Sequence, residues 1–131
     1  MADDTRTAAI HATIDAYLAA FPANDRAAYV GAFAEDGWLE DPVGAPRHHG
    51  PVGIGGFWDE SHALADELDL VPLGFRVVIG DEAVVTLQAR PVIGGRRYAL
   101  DIVDHMTFDA AGKIVGLRAF FDMATMRPAD D

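Results

Sequence analysis

The sequence predicts an α+β fold, with helices in its first half and a run of antiparallel strands in its second. Two patterns carry this reading. Apolar residues near the start recur at helical spacing, and from Leu70 onward apolar and polar residues alternate in stretches divided by short turn segments. Helices followed by hairpin-linked strands imply helices packed on one face of a curved sheet, enclosing a core. The 131 residues suit one domain, and no repeat or linker interrupts them.

Residues 5 to 21 place Ile10, Ile14, Tyr17, Leu18 and Phe21 on one stripe, which predicts an amphipathic helix. "PAND" ends it, and Asn24 or Asp25 is suited to cap a short second helix running through Phe33. Trp38 to Glu40 reads as a brief strand, stopped by the turn-forming "DPVGAP". A third helix begins near Pro51, a residue favoured in the first helical turn. "LVPLGFRVVI", "AVVTLQARPVI", "RRYALDIVDHMTF" and "KIVGLRAFF" follow as strands, connected by "GDE", "GG" and "DAAG".

The formal charge is −11, from 21 acidic against 10 basic residues. That balance disfavours nucleic acid and anionic membrane surfaces, which reward clustered Lys and Arg. No apolar run approaches a membrane span, and the opening "MADDTRTAAI" lacks the basic and then apolar pattern of a secretory signal. The sequence has no cysteine, which rules out a thiol nucleophile, a disulfide or a thiolate-ligated metal. A cytoplasmic location is the expectation.

Among residues suited to chemistry, Asp104 is the most distinctive. In "YALDIVDHMTF" the alternate positions are Tyr98, Leu100, Ile102, Asp104, Met106 and Phe108, so one acid shares a face with five apolar residues. Such a carboxylate is exposed by a bulge, paired with an arginine, or buried and protonated as a hydrogen-bond donor. Tyr17 lies on the buried stripe of the first helix, as a core phenol or as a donor toward a ligand oxygen. Asp41 in "EDPVG" is a common turn residue, and Glu40 beside it must point the other way.

Other features are weaker. "GPVGIGGF" lacks the spacing of dinucleotide or phosphate loops, and the adjacent His48 and His49 would splay apart in extended chain. No metal-ligating set and no Ser–His–Asp arrangement emerges.

Taken together, "YLAAF", "FAEDGWLEDPVG" and "VDHMTFDAAGKIVGLRAFF" resemble the ketosteroid isomerases, steroid Δ-isomerases of the nuclear transport factor 2-like and SnoaL-like superfamily. The resemblance spans residues 10 to 121. It implies a cone-shaped, curved antiparallel sheet with three N-terminal helices around an apolar cavity. It also implies that Asp41 is the catalytic base, and that Tyr17 and a protonated Asp104 form the oxyanion hole. A neutral carboxylic acid of this kind is an established pattern for that enzyme class.

The implied reaction moves a proton within a 3-oxo-Δ5-steroid, through a dienolate, to give the Δ4 isomer without cofactor or metal. The expected walls around a hydrophobic ketosteroid-like substrate are Phe57, Trp58, Met106, Phe108, Leu117 and Phe121, each of which also suits ordinary core packing. Trp58 stands where some family members carry a tyrosine bonded to the oxyanion-hole tyrosine. An indole N–H donates but cannot accept. The resemblance further implies a homodimer formed through the outer sheet face around Val84, Thr86 and Gln88. A SnoaL-like cyclase and a non-catalytic steroid- or lipid-binding protein are the alternative functions.

Overall fold

The computed structural model describes residues 4–130. Helix α1 (Asp4–Ala19) buries Ile10, Ile14, Tyr17 and Leu18, the stripe that its spacing predicts. Full burial of a side chain such as Ile10 or Ile14 contributes roughly 2–3 kcal/mol each. Three polar contacts fix α1 across the sheet. Arg6 donates to Asp81 at 2.8 Å, Thr13 to the Gly112 carbonyl at 2.6 Å, and Arg76 to Asp15 at 2.9 Å.

Helix α2 (Arg26–Gly31) is capped by Asp25, whose carboxylate accepts the Ala28 N–H at 3.0 Å. Strand β1 (Phe33–Glu40) starts earlier than its sequence suggests, taking in the "FAED" segment. A two-residue strand β2 (His48–His49) leads into α3 (Gly50–Ala63), so the glycine-rich "GPVGIGGF" is the first turns of a helix. Four strands follow: β3 (Glu67–Ile79), β4 (Glu82–Ile93), β5 (Arg96–Phe108) and β6 (Ile114–Phe120). A 3-10 turn (Met123–Thr125) and strand β7 (Arg127–Pro128) against β5 complete the described chain.

The sheet order is β2-β1-β6-β5-β4-β3. Its pairs are antiparallel except one. Strand β1 runs parallel to β6, with Leu39 opposite Leu117 and Glu40 opposite Arg118. The sheet is therefore mixed, correcting the expectation of an all-antiparallel one. Strands far apart in sequence meet only after the helices have folded back, so hairpin spacing cannot reveal this pair. The core lies between the helices and the inner sheet face, where Leu39, Val85, Leu87, Met106, Ile114 and Leu117 are buried. No helix is long and apolar enough to cross a membrane among the described residues.

Candidate active site

Strand β5 is regular at Asp104. Val85 on β4 and Ala119 on β6 sit opposite it, both buried, while the neighbouring pairs keep register. The irregularity of β5 falls later, between Thr107 and Phe108. No bulge carries the acid to water, and Asp104 is 2 % exposed. His105 points to the other face and contacts Glu82 at 2.7 Å. No ion pair to Asp104 forms among the described residues. Its Oδ2 is buried without a hydrogen-bond partner among the described residues. Burial, and then the charge of Asp41, push its carboxyl well above the usual range. Both effects favour the protonated form of the Asp104 carboxyl.

Asp41 follows the last residue of β1, and its side chain lines the same cavity as Asp104 and Tyr17. Burial raises its pKa to about 7. A carboxyl poised there is matched to proton transfer at neutral pH. Tyr17 enters from α1, and burial first, then the charge of Asp104, keeps its phenol protonated well above the ordinary value.

A second phenol joins these three. Tyr29 of α2 is 1 % exposed, lines the cavity and packs its ring against that of Tyr17. Their ring centroids lie 5.4 Å apart. A six-residue helix is too short for periodicity to show its buried side, so "RAAYVG" gave no signal beyond an aromatic among small residues.

The cavity has a volume of about 370 Å³, within the size range of small-molecule sites. Its walls are mostly apolar: Phe57 and Leu64 on the α3 side, Leu70 to Ile102 from the inner sheet face, and Phe121, Met123 and Met126 from the chain after β6. Of the expected wall residues, Phe57 and Phe121 line this cavity. Trp58, Met106, Phe108 and Leu117 do not line the cavity. They belong to the buried core cluster, and Trp58 stacks on His62 at 3.9 Å while lying 4.9 Å from Tyr29. Strand parity gave Met106 and Phe108 the correct face, but the cavity opens along Leu100 to Asp104 and that face is closed by packing farther on.

None of the residues lining the cavity is basic. Arg90 is engaged with Gln88 and the Asp130 carbonyl, Arg96 lies near the Tyr98 ring, and Arg118 reaches Glu40. No Asp–Arg–Asp cluster lines this cavity among the described residues. Among the described residues, no three His, Asp or Glu side chains group as metal ligands. The arrangement brings two buried carboxyls, Asp41 and Asp104, and two phenols, Tyr17 and Tyr29, to one mostly apolar chamber.

Comparison with known proteins matches the SnoaL-like domain to residues 14–117. A Steroid Delta-isomerase of Nocardioides simplex is 33% identical over 115 residues, covering 88% of this chain and 91% of that protein. Two solved structures share the fold at lower identity. SalBIII, described as an epoxide hydrolase/cyclase-like enzyme in pyran ring formation in polyether salinomycin, has a TM-score of 0.81 at 23% identity, over 92% of this chain and 95% of that one. RV0760c from Mycobacterium tuberculosis has a TM-score of 0.80 at 21% identity, over 92% and 96%. The matched domain and the isomerase relative together place the chain in the ketosteroid isomerase family, within the SnoaL-like superfamily.

Proposed function

We propose that the protein is a steroid Δ5-to-Δ4 isomerase in which Asp41 carries the proton and Tyr17 and Asp104 bind the dienolate oxygen. The observation that carries this reading is the meeting of Asp41, Tyr17 and a buried, unpaired Asp104 at one apolar cavity. Asp41 takes the proton from C4, between the ketone and the double bond. Electrons shift onto the carbonyl oxygen, which accepts hydrogen bonds from the Tyr17 hydroxyl and the Asp104 carboxylic acid. Asp41 returns the proton to C6, and the double bond becomes conjugated with the ketone. The reaction is redox-neutral and needs no cofactor.

Neutral donors suit this oxygen because its charge exists only in the intermediate and adjoining transition states. A preorganised donor costs no reorganisation when that charge appears, and each typically contributes about 3 kcal/mol. Tyr29, whose ring lies 5.4 Å from that of Tyr17, is the residue we assign to hold the Tyr17 hydroxyl, since the Trp58 indole cannot accept a hydrogen bond. The absence of a basic residue on the cavity wall disfavours epoxide opening by an Asp–Arg–Asp cluster and disfavours anionic ligands. A ring-closing cyclase would use Asp41 but has less need of two donors converging on one oxygen.

The outer sheet face supports homodimer formation. Thr86, Val103 and Phe120 align across β4, β5 and β6, and Thr86 bonds to the Phe75 backbone on β3. Phe75 is 59% exposed and Phe120 43%, unusual for aromatic side chains on a free surface.

The test is the rise in ultraviolet absorbance as 5-androstene-3,17-dione becomes the conjugated 4-ene-3-one. Catalysed turnover is expected. Tight steroid binding without turnover would make the protein a carrier instead.

A further inference from the structure

Glu40 is an acid only 7 % exposed, and the proton transfer described above leaves it unused. Its carboxylate is heavily engaged. Oε2 accepts the Gly44 N–H at 2.8 Å, Oε1 accepts Arg47 Nε at 3.0 Å, and Arg118 Nη2 stands 3.6 Å from Oε2. These contacts span the turn that begins at Asp41. The Val43 N–H adds a bond to the Ala119 carbonyl at 2.8 Å, tying the turn to β6. Gly44 has φ +97, a backbone conformation that a side chain would strain, and it is where the turn brings its N–H to Glu40.

The clamp has its own foundation. Arg47 lies over the Trp38 ring at 3.8 Å. That ring rests on Gly116 of β6, where any Cβ would collide with it. Asp41, by contrast, has no hydrogen-bond donor holding its carboxyl among the described residues, and burial is the sole cause of its raised pKa. A base that must reach two carbons in turn cannot be tethered by its own hydrogen bonds. Its placement must come from the backbone on which it stands.

We propose that Glu40 is the positioning residue for Asp41: its bonds to Gly44, Arg47 and Arg118 lock the 41–47 turn so that the neighbouring carboxyl is held toward the cavity. The kinetic part rests on the isomerase reading, whereas the structural part does not. Misplacement of a reacting group by about 1 Å can cost up to roughly 100-fold in rate.

The experiment compares wild type with Glu40→Gln, which keeps size and shape but removes the charge binding both arginines. The expected result is a kcat about tenfold lower with KM changed by less than about twofold, because ground-state binding is untouched. The acid limb of the rate profile keeps its pKa, and amide exchange accelerates at Val43 and Gly44 but not at Val85 in the core. Arg47→Met reproduces these effects, and Arg47→Lys recovers part of the rate. An unchanged kcat with protected turn amides would overturn the proposal. So would a shifted acid limb, which would mean that Glu40 acts through its charge, or uniformly faster exchange, which would mean that it only stabilises the fold. If wild type shows no turnover, the isomerase reading fails, and exchange at Val43 and Gly44 still decides whether the clamp exists.

Discussion

Asp104 and Asp41 reach one cavity from β5 and from the end of β1, and the charge of Asp41 adds to burial in raising the Asp104 carboxyl. Asp41 is raised to about 7 by burial alone. Both shifts run upward, and the Asp104 carboxyl is the one that the other's charge raises further, so in the proposed mechanism Asp104 keeps the proton and Asp41 is the group that ionises.

This division sets the pH dependence of activity. Asp41 must be ionised to accept a proton, so kcat/KM falls on the acid side with an apparent pKa of about 7. A profile from pH 5 to 9 should rise through that value and then level. An acid limb near 4 would show that Asp41 lies in a far wetter site.

The tyrosine pair predicts a graded loss. Tyr17→Phe deletes a donor to the oxyanion and should lower kcat about 100- to 1,000-fold, as loss of a single preorganised donor does. Tyr29→Phe leaves that donor in place and removes only its partner, so kcat should fall by about tenfold or less, on the scale of one net hydrogen bond. Steady-state kinetics of both variants checks the order. A larger loss from Tyr29→Phe would assign the direct contact to Tyr29.

Asp104 should cost stability at neutral pH. Its folded pKa is raised, so above the unfolded value of about 3.9 the folded state keeps a proton that the unfolded chain releases. Rising pH therefore favours unfolding until the folded pKa is reached. Asp104→Asn removes this penalty, so its stability relative to wild type should increase from pH 4 to pH 8. Urea unfolding at several pH values measures the difference, and a gap independent of pH would refute a protonated Asp104.

The exposed aromatics predict a dimer that one charge can break. Phe75→Glu places a carboxylate beside the Thr86–Val103–Phe120 row. Sedimentation should give a dimer for wild type and a monomer for the variant, with the variant still folded. A monomeric wild type at micromolar concentration would remove the sheet face as an interface.

Much of this site was legible from sequence. Period-two alternation put Asp104 on an apolar face, and helical spacing put Tyr17 on the buried side of α1; both depend on local geometry. The β1–β6 pairing joins residues some eighty positions apart, which no local pattern encodes. Wall residues were read less well for a related reason. Alternation assigns a face, but whether a residue on it meets a cavity or packed neighbours depends on where the helices lie. Ile102 lines the cavity while Met106, two pairs along the same face, is sealed in the core. Tyr29 was missed because its helix is too short to reveal a buried side.

The central claim is that Asp41 carries the proton, and the most direct test sets Asp41→Asn beside wild type with 5-androstene-3,17-dione. Absorbance at the conjugated product band and steroid binding are measured on the same preparations. The account predicts rapid wild-type turnover and a loss of about 100-fold or more in the variant, with binding retained, as expected for removal of a general base. Equal turnover in both proteins, or steroid binding without turnover in either, would contradict it.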